Sequence, residues 1–310
     1  MNYLKLISVI FCILLFFISK PFSLENKILF KVNNDIITSI DIEEEYKYLI
    51  ALNDNLKKLS QNEIIEIAKK SIIKEKIKII EINKNFKNPK IPDEILETIL
   101  ENFYRRLNID NLDDFKKYLI SKNVEYQDVK NKIEIESLWN ELIIAKFSSK
   151  IQINENEIRN NLIKNQEKFS KSYLLSEIFF EISNSNQLNK KYQEIIEIIQ
   201  KKGFENAAAS ISTSSTANQG GKIGWIDEDA LNENLKKILS ELNDNEITGP
   251  LTMPGGFMIL KINEIKKKAK KQNIENELKR IINFKKNDQL NQFSKIYFNK
   301  VKKNIKIHEI

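Results

Sequence analysis

Side chains able to do covalent or metal chemistry are nearly absent from this 310-residue chain, which has one cysteine, Cys12, and one histidine, His308. Cys12 lies inside an apolar N-terminal run, and His308 is third from the C-terminus. A zinc site has no thiolates or imidazoles to draw on, so no metal and no cofactor is expected. A His-based triad has no base to build on, and thiol catalysis has no thiol once the N-terminal run is removed. What is concentrated instead is glycine. All seven glycines (Gly203, Gly220, Gly221, Gly224, Gly249, Gly255 and Gly256) lie in one window of the second half, three of them in "TANQGGKIGW". Glycine contributes through the backbone, by admitting positive φ or the close approach of another segment.

The elements on either side explain that placement. After "ILFKVNNDIIT", a hairpin candidate turned at Asn33-Asn34-Asp35, the pattern is helical to about residue 165. Ser60 with Glu63 forms a capping box that opens "IIEIAKKSIIKEKIKIIEI". Pro92, followed by Asp93 and Glu94, opens "EILETILENFYRRL". "LDDFKKYLISKN" and "YQDVKNKIEIESLWNELIIAKF" are further helices, and Asn154 caps another. No glycine interrupts them, where each would cost about 1 kcal/mol against alanine. At Tyr173 the periodicity changes, and a β-α-α-β-α-β-β order follows over about 95 residues, a compact α+β module with an antiparallel sheet. From Lys266 the chain is helical again, as one long helix or two, and ends in "IKIHEI", where Ile305 and Ile307 alternate with polar residues. A lone strand is unstable, so this terminus is expected to pair with the hairpin at residues 28–38.

The formal charge of +7 arises from 50 basic and 43 acidic side chains that are intermixed along the chain. Nucleic-acid binders gather such charge on one face or arm, so no nucleic-acid partner is expected. Lys5 followed by "LISVIFCILLFFI" reads as a signal peptide over residues 1–23, with cleavage at Ser23. The rival reading is an uncleaved inner-membrane anchor. A mature chain without cysteine suits an oxidising compartment.

"SEIFFEI", "GFENAAASIS", "NQGGKIGWI" and "TGPLTMPGGFMILKI" together resemble a parvulin-type (PpiC-like) prolyl isomerase domain. The flanking "KVNNDIITSIDIEEE" is similar to the N-terminal hairpin and first helix of the SurA family of periplasmic chaperones. The resemblance implies an α+β fold in which a mainly helical chaperone domain, made from both chain ends, carries an inserted parvulin-like domain. Its expected parts are a helical domain over 24–170, a parvulin-like domain over 171–267, and a C-terminal helix and strand over 268–310 that pack back on the first.

The polar positions of the parvulin family, usually His, Asp or Cys, and His, fall here on Glu177, Ser214 and Met258. The proline pocket falls on Leu231, Leu235, Phe257 and, where Thr or Ser is common, Met253. Prolyl isomerisation needs no nucleophile. Its barrier of about 20 kcal/mol comes from amide resonance, and a catalyst lowers it by placing polar groups around a twisted amide. With the apolar positions kept and the polar ones changed, weak or absent isomerase activity is expected. The resemblance therefore implies a periplasmic chaperone for unfolded outer-membrane proteins or other extended polypeptides, in transient proximity to a membrane and without a small-molecule substrate. The alternatives are an active isomerase with an atypical site and a membrane-tethered foldase. Phe103, Tyr104, Tyr118 and Trp139 are candidate exposed aromatics for client contact.

Overall fold

The computed structural model describes residues 26–164, 169–182, 184–269 and 274–310, so the apolar run at 6–18 and the expected cleavage at Ser23 lie outside the described residues. β1 (Ile28–Val32) and β2 (Asp35–Thr38) form an antiparallel hairpin that turns at Asn33, with φ 52°. Asparagine tolerates this left-handed region better than other non-glycine residues. Thr38 caps α1 (Ser39–Leu52) through a reciprocal box with Asp41, and Ser60 with Glu63 does the same for α2 (Gln61–Asn85). Next come α3 (Asp93–Arg105), α4 (Leu112–Ser121), α5 (Tyr126–Phe147) and α6 (Glu155–Lys164). Pro92 is the residue before α3 rather than its first turn, with ψ 134°.

The last helix, α10 (Ile274–Lys303), is a single element and returns to this helical part. Phe293, Tyr297 and Phe298 pack on the core formed by Leu96, Leu100, Phe115 and Trp139. The Trp139 indole N–H donates to Ser294 Oγ at 2.8 Å, and Phe147 stacks on Phe293 with ring centres 5.0 Å apart. β7 (Ile307–Glu309) then pairs antiparallel with β1, with Val32 opposite Ile307, in a three-stranded sheet of order β2-β1-β7. The aromatics expected at the surface are core instead. Trp139 and Tyr104 are buried, and Phe103 and Tyr118 pack half-buried on the same cluster. Burial of their large apolar area outweighs any exposed role. Exposed apolar side chains on these helices include Ile95, Ile120 and Ile144.

The intervening module runs β3 (Phe169–Phe180), α7 (Leu188–Lys202), α8 (Phe204–Ile211), β4 (Lys222–Asp227), α9 (Glu233–Ser240), β5 (Leu251–Met253) and β6 (Gly256–Ala269). Its antiparallel sheet has the order β4-β3-β6-β5. Strand alternation sends Ile178, Phe180 and Ile259 to one face, under α7 and α8. Tyr173, Leu175, Phe179, Met258 and Leu260 go to the other, where Leu231 and Leu239 join them. That second face also gathers Ile158 of α6 with Leu278 and Ile281 of α10. The fold is thus α+β: a mainly helical part drawn from both ends of the chain, with a parvulin-like module between them.

Two glycines seat the strands. A Cβ on Gly221 would stand 2.2 Å from the carbonyl oxygen of Glu177, and one on Gly256 would stand 2.5 Å from that of Phe180. Both neighbours are backbone of β3, the central strand, and cannot give way.

Candidate functional site

β3 presents Glu177 on the face turned toward α10, where its carboxylate is buried. One oxygen accepts from the Thr216 hydroxyl at 3.0 Å, and the other lies 3.2 Å from the Lys295 ammonium of α10. The loop after α8 supplies hydroxyls at alternate positions. Ser214 Oγ is 2.7 Å from Thr216 Oγ1 and 3.0 Å from Ser212 Oγ. Each hydroxyl has one proton. Thr216 gives its proton to Glu177, so Ser214 must donate to Thr216 and Ser212 to Ser214. Ser212 Oγ in turn accepts from the backbone N–H of Phe179 at 3.0 Å. Every hydroxyl proton of the relay therefore points toward a carboxylate that is itself paired with an ammonium.

α2 closes the other side. The Lys74 ammonium donates to the carbonyl oxygens of Ser214 and Thr213 at 3.0 and 3.3 Å. Burial, helped by the positive charges of Lys78 and Lys295 and opposed by Glu136 and Glu177, pushes Lys74 down to about 7 from its ordinary 10.5. Asn218 donates to Ser71 Oγ at 2.9 Å, and the Lys295 ammonium sits 4.5 Å above the centre of the Phe179 ring.

Of the residues singled out from sequence, Glu177 and Ser214 are brought together through Thr216. Met258 lies opposite Phe179 on β6 and is buried with Leu231, while Leu235 and Met253 pack half-buried on the same cluster. Phe257 does not join them. It is one residue out of phase with Met258, faces α7 and α8, and stacks on Phe180 at 5.9 Å between ring centres. Thr216 and Ser212 were missed, although the alternating hydroxyls of "SISTSST" carry a signal for them. Lys295 and Lys74 carried none, being two among many lysines on helical surfaces.

Besides Leu278 and Ile281, α10 reaches the module through further contacts. Arg280 bridges to Asp227 at 2.7 Å, Lys295 meets Glu177, and Ile296 Cγ1 lies 3.3 Å from where a Cβ on Gly255 would stand. Between them remains a cavity of about 410 Å³, lined by Pro254 of the β5–β6 turn and by Asp288, Gln292, Phe293 and Ile296 of α10, among others.

Residues 178–264 match the family described as Rotamase, the PPIC-type PPIASE domain. The chain is similar to Chaperone SurA of Pseudomonas putida, at 28% identity over 56% of this chain and 43% of that protein. It is similar to Chaperone SurA of Buchnera aphidicola, at 28% identity over 79% of this chain and 59% of that one. Thus it spans less than two thirds of the length of the first curated relatives it matches. A solved structure described as one of two SurA-like chaperones of Campylobacter jejuni aligns over 92% of this chain and 99% of that one, at 18% identity and TM-score 0.36. By class, then, this is a helical protein carrying a PpiC-type parvulin domain. The chain is SurA-like.

Proposed function

We propose that the protein is a periplasmic chaperone that holds unfolded outer-membrane proteins, and that its parvulin-like domain is weak or silent as an isomerase. The observation that carries the second half is the relay from Ser212 to Glu177, ending on Lys295. Catalysis needs polar groups poised on the twisted prolyl amide. Here the hydroxyl protons are already spent within the protein, and the carboxylate is held by a lysine. Met258 offers no proton at all.

The first half rests on the SurA-like sequence, on the signal-like run at 6–18, and on exposed Ile95, Ile120 and Ile144 as apolar contacts for extended chains. Among the described residues no helix is long and apolar enough to cross a membrane. Isomerase activity with an atypical site is the second reading, favoured by the clustering of Leu231, Leu235, Met253 and Met258.

Suppression of aggregation tests the holding role. Purified protein at equimolar ratio should keep a urea-diluted outer-membrane barrel protein soluble. It should do so equally well for a client variant stripped of prolines. No suppression for either client would refute the chaperone reading. Suppression confined to the proline-bearing client would favour the isomerase.

A further inference from the structure

Two of the family's three polar positions, Glu177 and Ser214, make side-chain or carbonyl contacts that reach the helical part of the same chain, whereas Met258 packs inside the module. Glu177 is bound to Lys295 of α10, and the carbonyl of Ser214 is bound to Lys74 of α2. Around them Asn218 reaches Ser71, the Lys70 ammonium reaches the Ser210 carbonyl at 3.3 Å, Asn299 of α10 donates to Glu181, and Lys202 pairs with Glu63. The seam combines these polar contacts with an apolar part, where Ile158, Leu278 and Ile281 pack on the module face, and its most buried polar members are Ser214 and Glu177, at 0% and 7% exposure. A carboxylate buried as Glu177 is would be costly without a cation, and α10 brings one in Lys295.

We propose that the former catalytic positions of this module have become its docking site: Glu177, seated by the Thr216–Ser214–Ser212 relay, is the anchor by which α10 closes over the module face. This docking does not depend on which polypeptides the protein carries or on its isomerase rate.

The test uses the full chain with Cys12→Ser, Ser71→Cys and Asn218→Cys, whose paired thiols report the closed seam through their rate of disulfide formation under a fixed oxidant. Lys295→Met and Glu177→Gln should each slow cross-linking about tenfold, since each leaves a buried partner uncompensated. The double variant should be no slower than the worse single, because the two residues act as one pair. Lys202→Ala, which removes an exposed pair at the edge of the same seam, should leave the rate within about twofold. Rates for Lys295→Met and Glu177→Gln within about twofold of the parent would overturn the proposal. If a variant loses its far-UV circular dichroism, the parent decides instead by hydrogen exchange. Amides of 212–221 should then open together with those of 70–78, and opening of 212–221 at an independent, faster rate would overturn it.

Discussion

Glu177 is the residue on which the account turns, and the residues linked to it, Ser214 through Thr216 and Lys295 directly, differ in how well they could be foreseen. Ser214 was legible because a family pattern places a polar group there. Lys295 was not, since α10 carries lysines along its length and only the fold selects one. Lys74 is the other such residue, and it carries a testable consequence. It is surrounded by Lys78 on its own helix, Glu136 of α5, Lys295 of α10, Glu177 of β3, the two loop carbonyls, and the Phe298 ring at 5.9 Å. Its value falls from 10.5 to about 7 on folding. Below about pH 7 it is charged in both states and the penalty is complete. Between there and 10.5 the folded protein has shed a proton that the unfolded chain retains, so this group makes stability rise with pH. Urea midpoints from about pH 6 to about 10 should therefore climb more steeply in the parent than in Lys74→Met. Parallel curves would mean that Lys74 is ordinarily solvated at the seam.

At the scale of elements, most boundaries were legible because local chemistry sets them. The hydroxyl and carboxylate cap at Ser60 stops alternatives from competing, and glycines at Gly221 and Gly256 mark where strands crowd β3. What no local pattern shows is which face a helix covers. α10 was read as one helix or two, and it is one, with neither glycine nor proline inside it. It divides its loyalties. Phe293 and Tyr297 belong to the helical core, whereas Leu278 and Ile281, with Ile158 of α6, belong to the module face. Replacing Ser172–Lys266 by a short Gly/Ser linker consequently uncovers three buried side chains. That deletion should aggregate, as measured by light scattering after gel filtration. The same deletion with Ile158, Leu278 and Ile281 changed to Gln, Lys and Lys should be monodisperse and keep its helical circular dichroism. Equal solubility of the two would show that the module covers nothing essential.

On the whole molecule, the closing of both chain ends on one sheet could be read from Ile305 and Ile307 alternating beside an unpartnered hairpin, and Val32 does face Ile307. The aromatics could not be placed that way. Trp139, with Tyr297 and Phe298 packed on it, is sealed by α10, 155 positions away at its Ser294 bond, and no helical period reveals so distant a neighbour. With isoleucines and Trp225 among the exposed apolar groups and charges of both signs dispersed, client binding should depend on apolar burial. Its dissociation constant should change by less than about tenfold between low and moderate salt, because screening acts on exposed charge and not on buried apolar area. A collapse of binding with salt would make the basic surface the client site. The central claim is that the parvulin-like module is weak or silent as an isomerase. It is tested most directly by the kcat/KM for cis-trans isomerisation of a proline tetrapeptide, measured beside an ordinary parvulin at equal concentration. Loss of positioned polar groups typically costs on the order of 10²-fold each, though not additively. The account predicts a rate at least about a hundredfold below that parvulin. A rate within about tenfold of it would contradict the account, and would mean that the apolar cluster of Leu231, Leu235, Met253 and Met258 suffices for catalysis.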